Sequence, residues 1–304
     1  MNPFFKDLIR VTPESQNMES FYNRLEEGCA GFVDALEGLS EPQIHLLWRA
    51  LRDSAFLTET LIQHPEWVQG NFLDPENLSE PSFFGSLKNE LKERLMGPVA
   101  DQNWDEISHV LREFKTKNLF RIALRDLNKI ADAQEVIREL SDVADVCLEA
   151  VFRLAWMKLS ESMGHPGYKN KAGEWEVSEF AVIALGKLGG RELNYSSDVD
   201  LIFVYSEDGK VVKGNSVGKQ TNLQFFTRLA ETFIEEVTKT TKDGQLYRVD
   251  LRLRPEGNKG PLVRSLSGYE NYYQDWGRTW ERMMLIKARC VAGSEGVASE
   301  FTDI

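Results

Sequence analysis

Gly189-Gly190-Arg191-Glu192-Leu193-Asn194-Tyr195-Ser196-Ser197-Asp198-Val199-Asp200-Leu201-Ile202-Phe203 is the stretch that decides the fold. A glycine pair leads through a short polar turn to two aspartates at the mouth of an apolar strand. Side chains alternate between the faces of a strand, so Asp198 and Asp200 point the same way, roughly 6–7 Å apart along the backbone. Two carboxylates that close repel unless a positive charge stands between them. Mg²⁺ takes oxygen ligands and is held by one or two carboxylates plus substrate phosphates. Gly189 and Gly190 give backbone N–H groups access to such phosphates. Ser196 and Ser197 offer hydroxyls to a phosphate, or cap the turn. The combination predicts a site that moves a nucleotidyl or phosphoryl group.

Working outward, 180–185 reads as a buried strand just before the glycine turn, and 199–205 as the strand entered at the aspartates. A helix is predicted over 223–237, where Leu223, Phe226, Leu229, Ala230, Phe233 and Val237 share one side. A third strand is predicted over 246–253. Counting by two places Arg248, Asp250, Arg252 and Arg254 on one of its faces. Alone, that pattern also describes a solvated ion-pair strand, where each exposed pair contributes about 0–1 kcal/mol. Beside Asp198 and Asp200 it supplies a third carboxylate, Asp250, and a divalent-cation site becomes the natural resolution of the repulsion. Arg252 and Arg254 then neutralise phosphate charge or bind an incoming phosphate, with a structural ion pair as the alternative. Lys187 and Arg191 are weaker candidates for the same work.

The rest of the chain is simpler. Helical periodicity runs over about 13–160, with helices expected at 41–67, 119–130 and 143–154. Gly164-His165-Pro166-Gly167 reads as a turn-rich break. Beyond it, 214–219 reads as a flexible loop, 261–263 as a short strand, and 271–288 as a Trp- and Tyr-rich helical packing platform carrying Arg278, Glu281 and Arg282. Lys287 and Arg289 are read as contacts to nucleotide or as solvated charges. The expected organisation is a helical region over 1–163 and a catalytic domain over 164–304. The fold class is α+β.

Composition excludes several classes. A formal net charge of −12 and no basic stripe argue against a nucleic-acid partner. Cys29, Cys147 and Cys290 are odd in number and far apart, which suits reduced thiols. The four histidines lack metal-ligand spacing. No stretch supplies the ~20 apolar residues that cross a bilayer, and the first residues lack a signal-peptide core. A cytoplasmic protein is expected.

The Gly-Gly, Asp-x-Asp and later Asp pattern over 180–255 resembles the nucleotidyltransferase superfamily of the DNA polymerase beta fold. A tighter resemblance is carried by Leu185-Gly186-Lys187-Leu188-Gly189-Gly190-Arg191-Glu192-Leu193-Asn194-Tyr195-Ser196-Ser197-Asp198-Val199-Asp200-Leu201-Ile202-Phe203 and by Arg248-Val249-Asp250-Leu251-Arg252-Leu253-Arg254-Pro255. Both are similar to the glutamine synthetase adenylyltransferase family. So is the helical stretch Leu119-Phe120-Arg121-Ile122-Ala123-Leu124-Arg125-Asp126-Leu127, and the likeness runs over about 50–293. That resemblance implies an N-terminal helical region followed by a nucleotidyltransferase-fold mixed sheet with flanking helices.

The family has two homologous halves, one removing AMP from a tyrosine of glutamine synthetase with phosphate as acceptor, the other attaching AMP from ATP. Gly260-Pro261-Leu262-Val263 and Tyr272-Tyr273-Gln274-Asp275-Trp276-Gly277-Arg278-Thr279-Trp280-Glu281-Arg282 look like the removing half. The sequence holds one such site and reads as a fragment of a two-site protein. The resemblance implies Asp198, Asp200 and Asp250 as catalytic metal ligands for Mg²⁺, with Mn²⁺ equally suited. It implies adenine nucleotide and phosphate as small ligands, glutamine synthetase as protein substrate, and a PII signalling protein as a further candidate partner. Adenylylation from ATP at the same site, and a regulatory module that binds nucleotide or PII without turnover, stay open as alternatives.

Overall fold

The computed structural model describes residues 39–68, 73–214 and 216–304. Cys29, Gly70 and the helical reading of 13–38 lie outside these residues. Before residue 164 every described element is helical; after it, strands and helices mix. The class is therefore α+β, as the sequence pattern predicts. The described residues up to Phe83 form one compact unit with Thr116–Glu139. Phe84–Lys115 form the other with Leu140–Ile304.

In the first unit, helix α1 (Glu41–Asp53) opens with a capping box in which the Ser40 N–H donates to Gln43 Oε1 at 2.9 Å. The helix expected over 41–67 is two helices and a 3₁₀ turn. Ser54 takes extended dihedrals and caps α2 (Ala55–Gln63) by accepting from the Leu57 N–H at 3.3 Å. A serine whose side chain bonds forward to the backbone favours a new start over continuation. The 3₁₀ turn Pro65–Val68 and the short helix α3 (Pro75–Ser79) follow. Leu47, Leu51, Leu57, Leu61, Trp67, Phe120 and Leu124 are among the buried core of this unit. Glu139, also buried, accepts from Arg121 at 2.9 Å, from the Ser82 N–H at 2.6 Å and from Arg125.

Helices α4 (Phe84–Ala100), α5 (Trp104–Leu127) and α6 (Ala133–Met163) precede the strands. The predicted helices at 119–130 and 143–154 fall in α5 and α6, although α5 ends before Ile130.

The second unit is organised on a mixed sheet. Strands β3 (Phe180–Ala184) and β4 (Val199–Tyr205) are antiparallel, with Ala184 opposite Leu201 and Phe180 opposite Tyr205. Both are buried along nearly their whole length, which explains their continuous apolar runs. β9 (Val249–Asp250) runs parallel to the start of β4, and β10 (Val263–Ser265) parallel to its end. β11 (Arg289–Gly293) pairs antiparallel with β3.

The two faces of this sheet follow the period of two. Ala181, Ile183, Ile202 and Val204 pack with Tyr269 and Tyr273 of α9 (Leu266–Asp275) and with Val297 and Phe301 of α11 (Glu295–Thr302). Phe180, Phe203 and Tyr205 meet Phe226 or Phe233 of α8 (Asn222–Thr238), with ring centroids 4.8–5.8 Å apart. The helix predicted over 223–237 is thus α8, capped by Thr221, whose Oγ1 accepts from the Gln224 N–H at 3.2 Å.

A second sheet was not legible in the sequence. β1 (His165–Lys169), β2 (Trp175–Val177), β5 (Lys210–Lys213) and β6 (Ser216–Thr221) lie in the order β2-β1-β5-β6. The turn-rich break at 164–167 is the start of β1, and most of the loop expected at 214–219 is β6. Both carry Gly or Pro and few apolar residues, and β2 and β6 are exposed throughout. Such edge strands give no alternation to read.

Three further elements differ from their expected bounds. The strand predicted over 246–253 is only Val249–Asp250. The Arg252 N–H donates to Asp250 Oδ1 at 2.8 Å, and the Arg254 N–H to the Leu251 carbonyl at 3.3 Å. This side-chain-to-backbone turn takes the chain out of the ladder, so Arg252 and Arg254 do not continue the face of Asp250. The helical platform expected over 271–288 is divided at Trp276-Gly277 into α9, α10 (Thr279–Met284) and a 3₁₀ turn. A Cβ on Gly277 would stand 2.8 Å from Tyr273 Cα, so the break is a close approach that needs glycine. The strand expected at 261–263 lies slightly later, as β10.

Candidate active site

The three aspartates sit where β4 begins. The Leu185 N–H donates to the Asp200 carbonyl at 2.9 Å from one side, and the Val199 N–H to the Arg248 carbonyl at 2.9 Å. These bonds fix β3, β4 and β9 around Asp200. Asp200 and Asp250 are register partners across the parallel pair. Neighbouring strands lie about 4.8 Å apart, so their side chains leave the sheet together. Asp200 also shares the face of Ile202 and Val204 by the period of two.

The electrostatics reflect this crowding. The Asp200 carboxyl is pushed above the ordinary carboxylate range, first by burial and then by the charges of Asp250 and Asp198; Arg252 and Lys187 pull it back. Asp250 goes the other way. The Arg252 side chain holds it low, donating from Nε at 3.0 and 2.9 Å, with Nη2 and the backbone N–H adding further bonds. Asp198 is paired with Arg248, whose Nη2 also reaches the Ser196 carbonyl at 2.6 Å.

Among the described residues, no three acidic, histidine or cysteine side chains close into a ready-made ion cage. Asp198 and Asp250 turn instead to arginines. The donor chemistry still fits a hard divalent cation: oxygen-only ligands, adjacent strands, and a central carboxyl burdened by two like charges. Arg248 and Arg252 are 63% and 74% accessible, so rotation of these side chains would free both outer carboxylates.

The glycine turn is α7 (Gly186–Gly189) with Gly190 directly after it, and the three glycines do different work. Gly186 has φ +54°, and a Cβ there would stand 2.4 Å from Asp200 Oδ2. Gly186 therefore shapes the wall of the carboxylate site. Sequence reasoning assigned it no role, although it directly follows the predicted strand. At Gly189 a Cβ would meet the Lys287 carbonyl oxygen at 2.1 Å and that of Ala184 at 2.8 Å. Gly189 is buried by backbone on two sides, so packing explains it. Gly190 faces only the flexible side chains of Lys287 and Glu192.

Arg289 anchors this turn. It donates to the Leu188 carbonyl at 2.9 Å and the Gly189 carbonyl at 3.3 Å, and grips buried Asp145 at 2.6 and 3.0 Å. Arg191 pairs with Asp142 at 2.7 Å, and Lys287 with Glu192 at 2.6 Å. These three cations thus have structural partners. Ser197 accepts from Lys187 Nζ at 3.4 Å and its N–H donates to the Asn194 carbonyl at 3.2 Å, while Ser196 is exposed. Arg252 reaches the Asp250 carboxylate; Arg254 is buried, donating to the Leu251 carbonyl at 2.8 Å.

Comparison with known proteins places this geometry in a family. Residues 44–304 match the model of the glutamate-ammonia ligase adenylyltransferase family. The chain belongs to that family. It is 38% identical over 275 residues to the bifunctional glutamine synthetase adenylyltransferase/adenylyl-removing enzyme of Hahella chejuensis, covering 90% of this chain and 27% of that protein. The protein of the same name from Pseudomonas aeruginosa is 40% identical over 247 residues, covering 81% of this chain and 23% of its own length. That of Nitrosococcus oceani is 44% identical over 188 residues, covering 62% and 19%. The chain spans about a quarter of the first of these relatives. Every residue of the carboxylate site and glycine turn lies inside the family match. No helix among the described residues is long and apolar enough to cross a membrane.

Proposed function

We propose that this chain is an adenylyl-removing nucleotidyltransferase acting on glutamine synthetase in the cytoplasm. Its reaction is phosphorolysis: a phosphate oxygen attacks the phosphorus of a tyrosine-linked AMP. A new P–O–P link forms, the bond to the phenolic oxygen breaks, and the phenolate takes a proton from solvent. The products are ADP and unmodified tyrosine. Asp198, Asp200 and Asp250 hold Mg²⁺ or Mn²⁺. When bound, a pair of such ions neutralises phosphate charge and steadies the attacking and leaving oxygens.

The protein's own groups do the rest. Asp200 sits fixed between β3 and β9, so the reacting phosphate has one position relative to the sheet. Arg252, released from Asp250, is the cation best placed to meet the incoming phosphate. Gly186 leaves room for the Asp200 carboxylate. Gly190, Ser196 and Ser197 stay candidates for phosphate contacts from the turn. A PII protein is a candidate effector.

The observation that carries the reading is the register pairing of Asp200 with Asp250, set beside Asp198 in a chain of this family. The likeness of 260–263 and 272–282 to the removing half supports this direction. The test is incubation with AMP-modified synthetase, phosphate and Mg²⁺. ADP appearing only when all three are present supports removal. Label transferred from ATP to unmodified synthetase, with no ADP from the modified form, supports attachment instead.

A further inference from the structure

A cavity of about 920 Å³ in the sheet-bearing unit opens beside Arg252. Arg252 forms part of its wall and is the same residue that grips Asp250. The cavity is of the size that small molecules occupy, roughly 300–1,000 Å³. Its walls carry Tyr272, Trp276 and Trp280. Trp276 is 75% exposed and Trp280 47% exposed. Large aromatic faces are normally covered, since each removes much apolar surface from water.

The platform under these rings is rigid. Buried Glu281 accepts from the Tyr272 hydroxyl at 2.8 Å and from the Arg278 N–H at 2.8 Å, tying α9 to α10. Arg264 lies over the Tyr272 ring at 5.3 Å, is paired with Glu256, and keeps a buried Nε with no partner among the described residues. Arg252, Arg264 and Arg278 are matched in number by Glu256, Asp275 and Glu281. A cavity balanced in charge does not suit a free phosphate, which needs an excess of cations. Aromatic faces beside exposed Asn271 and Asp275 suit a neutral ring system with hydroxyls and ring nitrogens.

We propose that this cavity is the nucleoside subsite, taking the purine nucleoside of the adenylyl group against Trp276 and Trp280 while its phosphate lies at the three aspartates. The assignment rests on the phosphorolysis reading for the identity of the nucleoside, but its test does not. Adenosine, which has no phosphate, is titrated into the full chain with a chelator present, following tryptophan fluorescence and heat. Saturable binding is expected. Trp276→Ala and Trp280→Ala each weaken it about tenfold or more, the scale on which a base stacked on an aromatic ring contributes. Trp280→Phe restores most of the affinity, and Asp200→Asn leaves it unchanged. No saturable binding, or binding by both alanine variants as tight as by the unaltered chain, overturns the subsite. If Asp200→Asn abolishes ADP formation while the tryptophan variants bind adenosine normally, only the subsite fails. If the tryptophan variants lose adenosine while Asp200→Asn still forms ADP, only the catalytic reading fails.

Discussion

Asp200 and Asp250 are paired in register across two parallel strands, one entering the sheet from the glycine turn and the other leaving it into an arginine-rich turn. Like charges side by side on adjacent strands are destabilising. The Asp200 carboxyl is raised first by burial and then by this repulsion from Asp250 and Asp198.

The first consequence is a trade between stability and activity. A carboxyl raised in the folded state binds its proton more tightly there than in the unfolded chain. Its stabilising effect is complete below the ordinary carboxylate range and is lost as pH rises through the raised value. At neutral pH the ionised Asp200 is therefore a burden without a cation. Asp200→Asn is expected to raise chelator-treated stability by at most about 1 kcal/mol, since the group is half exposed and screened. The same variant loses ADP formation by roughly 10²-fold or more, on the scale of removing a principal charge-stabilising group. Thermal melts in chelator and a turnover assay check the two halves separately.

Metal affinity carries the same signature. A ligand must be deprotonated to bind. Because Asp200 is raised, Mn²⁺ affinity is expected to begin falling at a pH above the ordinary carboxylate value of about 3.9. Titration calorimetry across the acid range, compared with Asp200→Asn, reads this directly. In the variant the overall affinity is lower and the pH dependence shifts toward ordinary values.

Gly186→Ala separates wall from packing. Its φ of +54° disfavours a side chain by about 1–2 kcal/mol, and the added Cβ collides with Asp200 Oδ2. Weakened metal binding with a modest loss of stability is expected. Gly189→Ala meets two backbone carbonyls instead. It is expected to destabilise by about 1–3 kcal/mol or more, through overpacking. Denaturant unfolding of the two variants, with Mn²⁺ titration of the folded fraction, distinguishes them.

Arg289→Ala tests the anchor of the turn. It leaves the Asp145 carboxylate, 4% exposed, without its bidentate partner. Burial already raises the Asp145 carboxyl despite Arg289. Breaking a buried pair from one side costs about 3–5 kcal/mol. A large loss of stability is expected, and Asp145→Asn in the same background restores part of it.

Much of this was legible from residue pattern. The apolar runs of β3 and β4 are long, bounded and buried, and α8 keeps a clean helical stripe, so each announces itself. The neighbouring strand positions of Asp200 and Asp250 were legible because their spacing speaks of strand geometry. The illegible parts have physical causes. β1, β2, β5 and β6 form a sheet of short strands whose two edges, β2 and β6, are exposed throughout and show no alternating core face. Arg252 and Arg254 alternate like strand residues, but the Asp250 carboxylate captures the Arg252 N–H and turns the chain. Arg289 and Asp145 are 144 positions apart, and no local pattern links them. Gly186 is one glycine among several, distinguished only by the carboxylate that folding brings against it.

The most direct test of the central claim is ADP formation from AMP-modified glutamine synthetase and phosphate by the chain and by Asp250→Asn, side by side at saturating Mg²⁺. The three-carboxylate account predicts rapid ADP formation by the chain and a rate lower by orders of magnitude in a variant that still folds and keeps its adenosine affinity. Equal rates in the two proteins would contradict it.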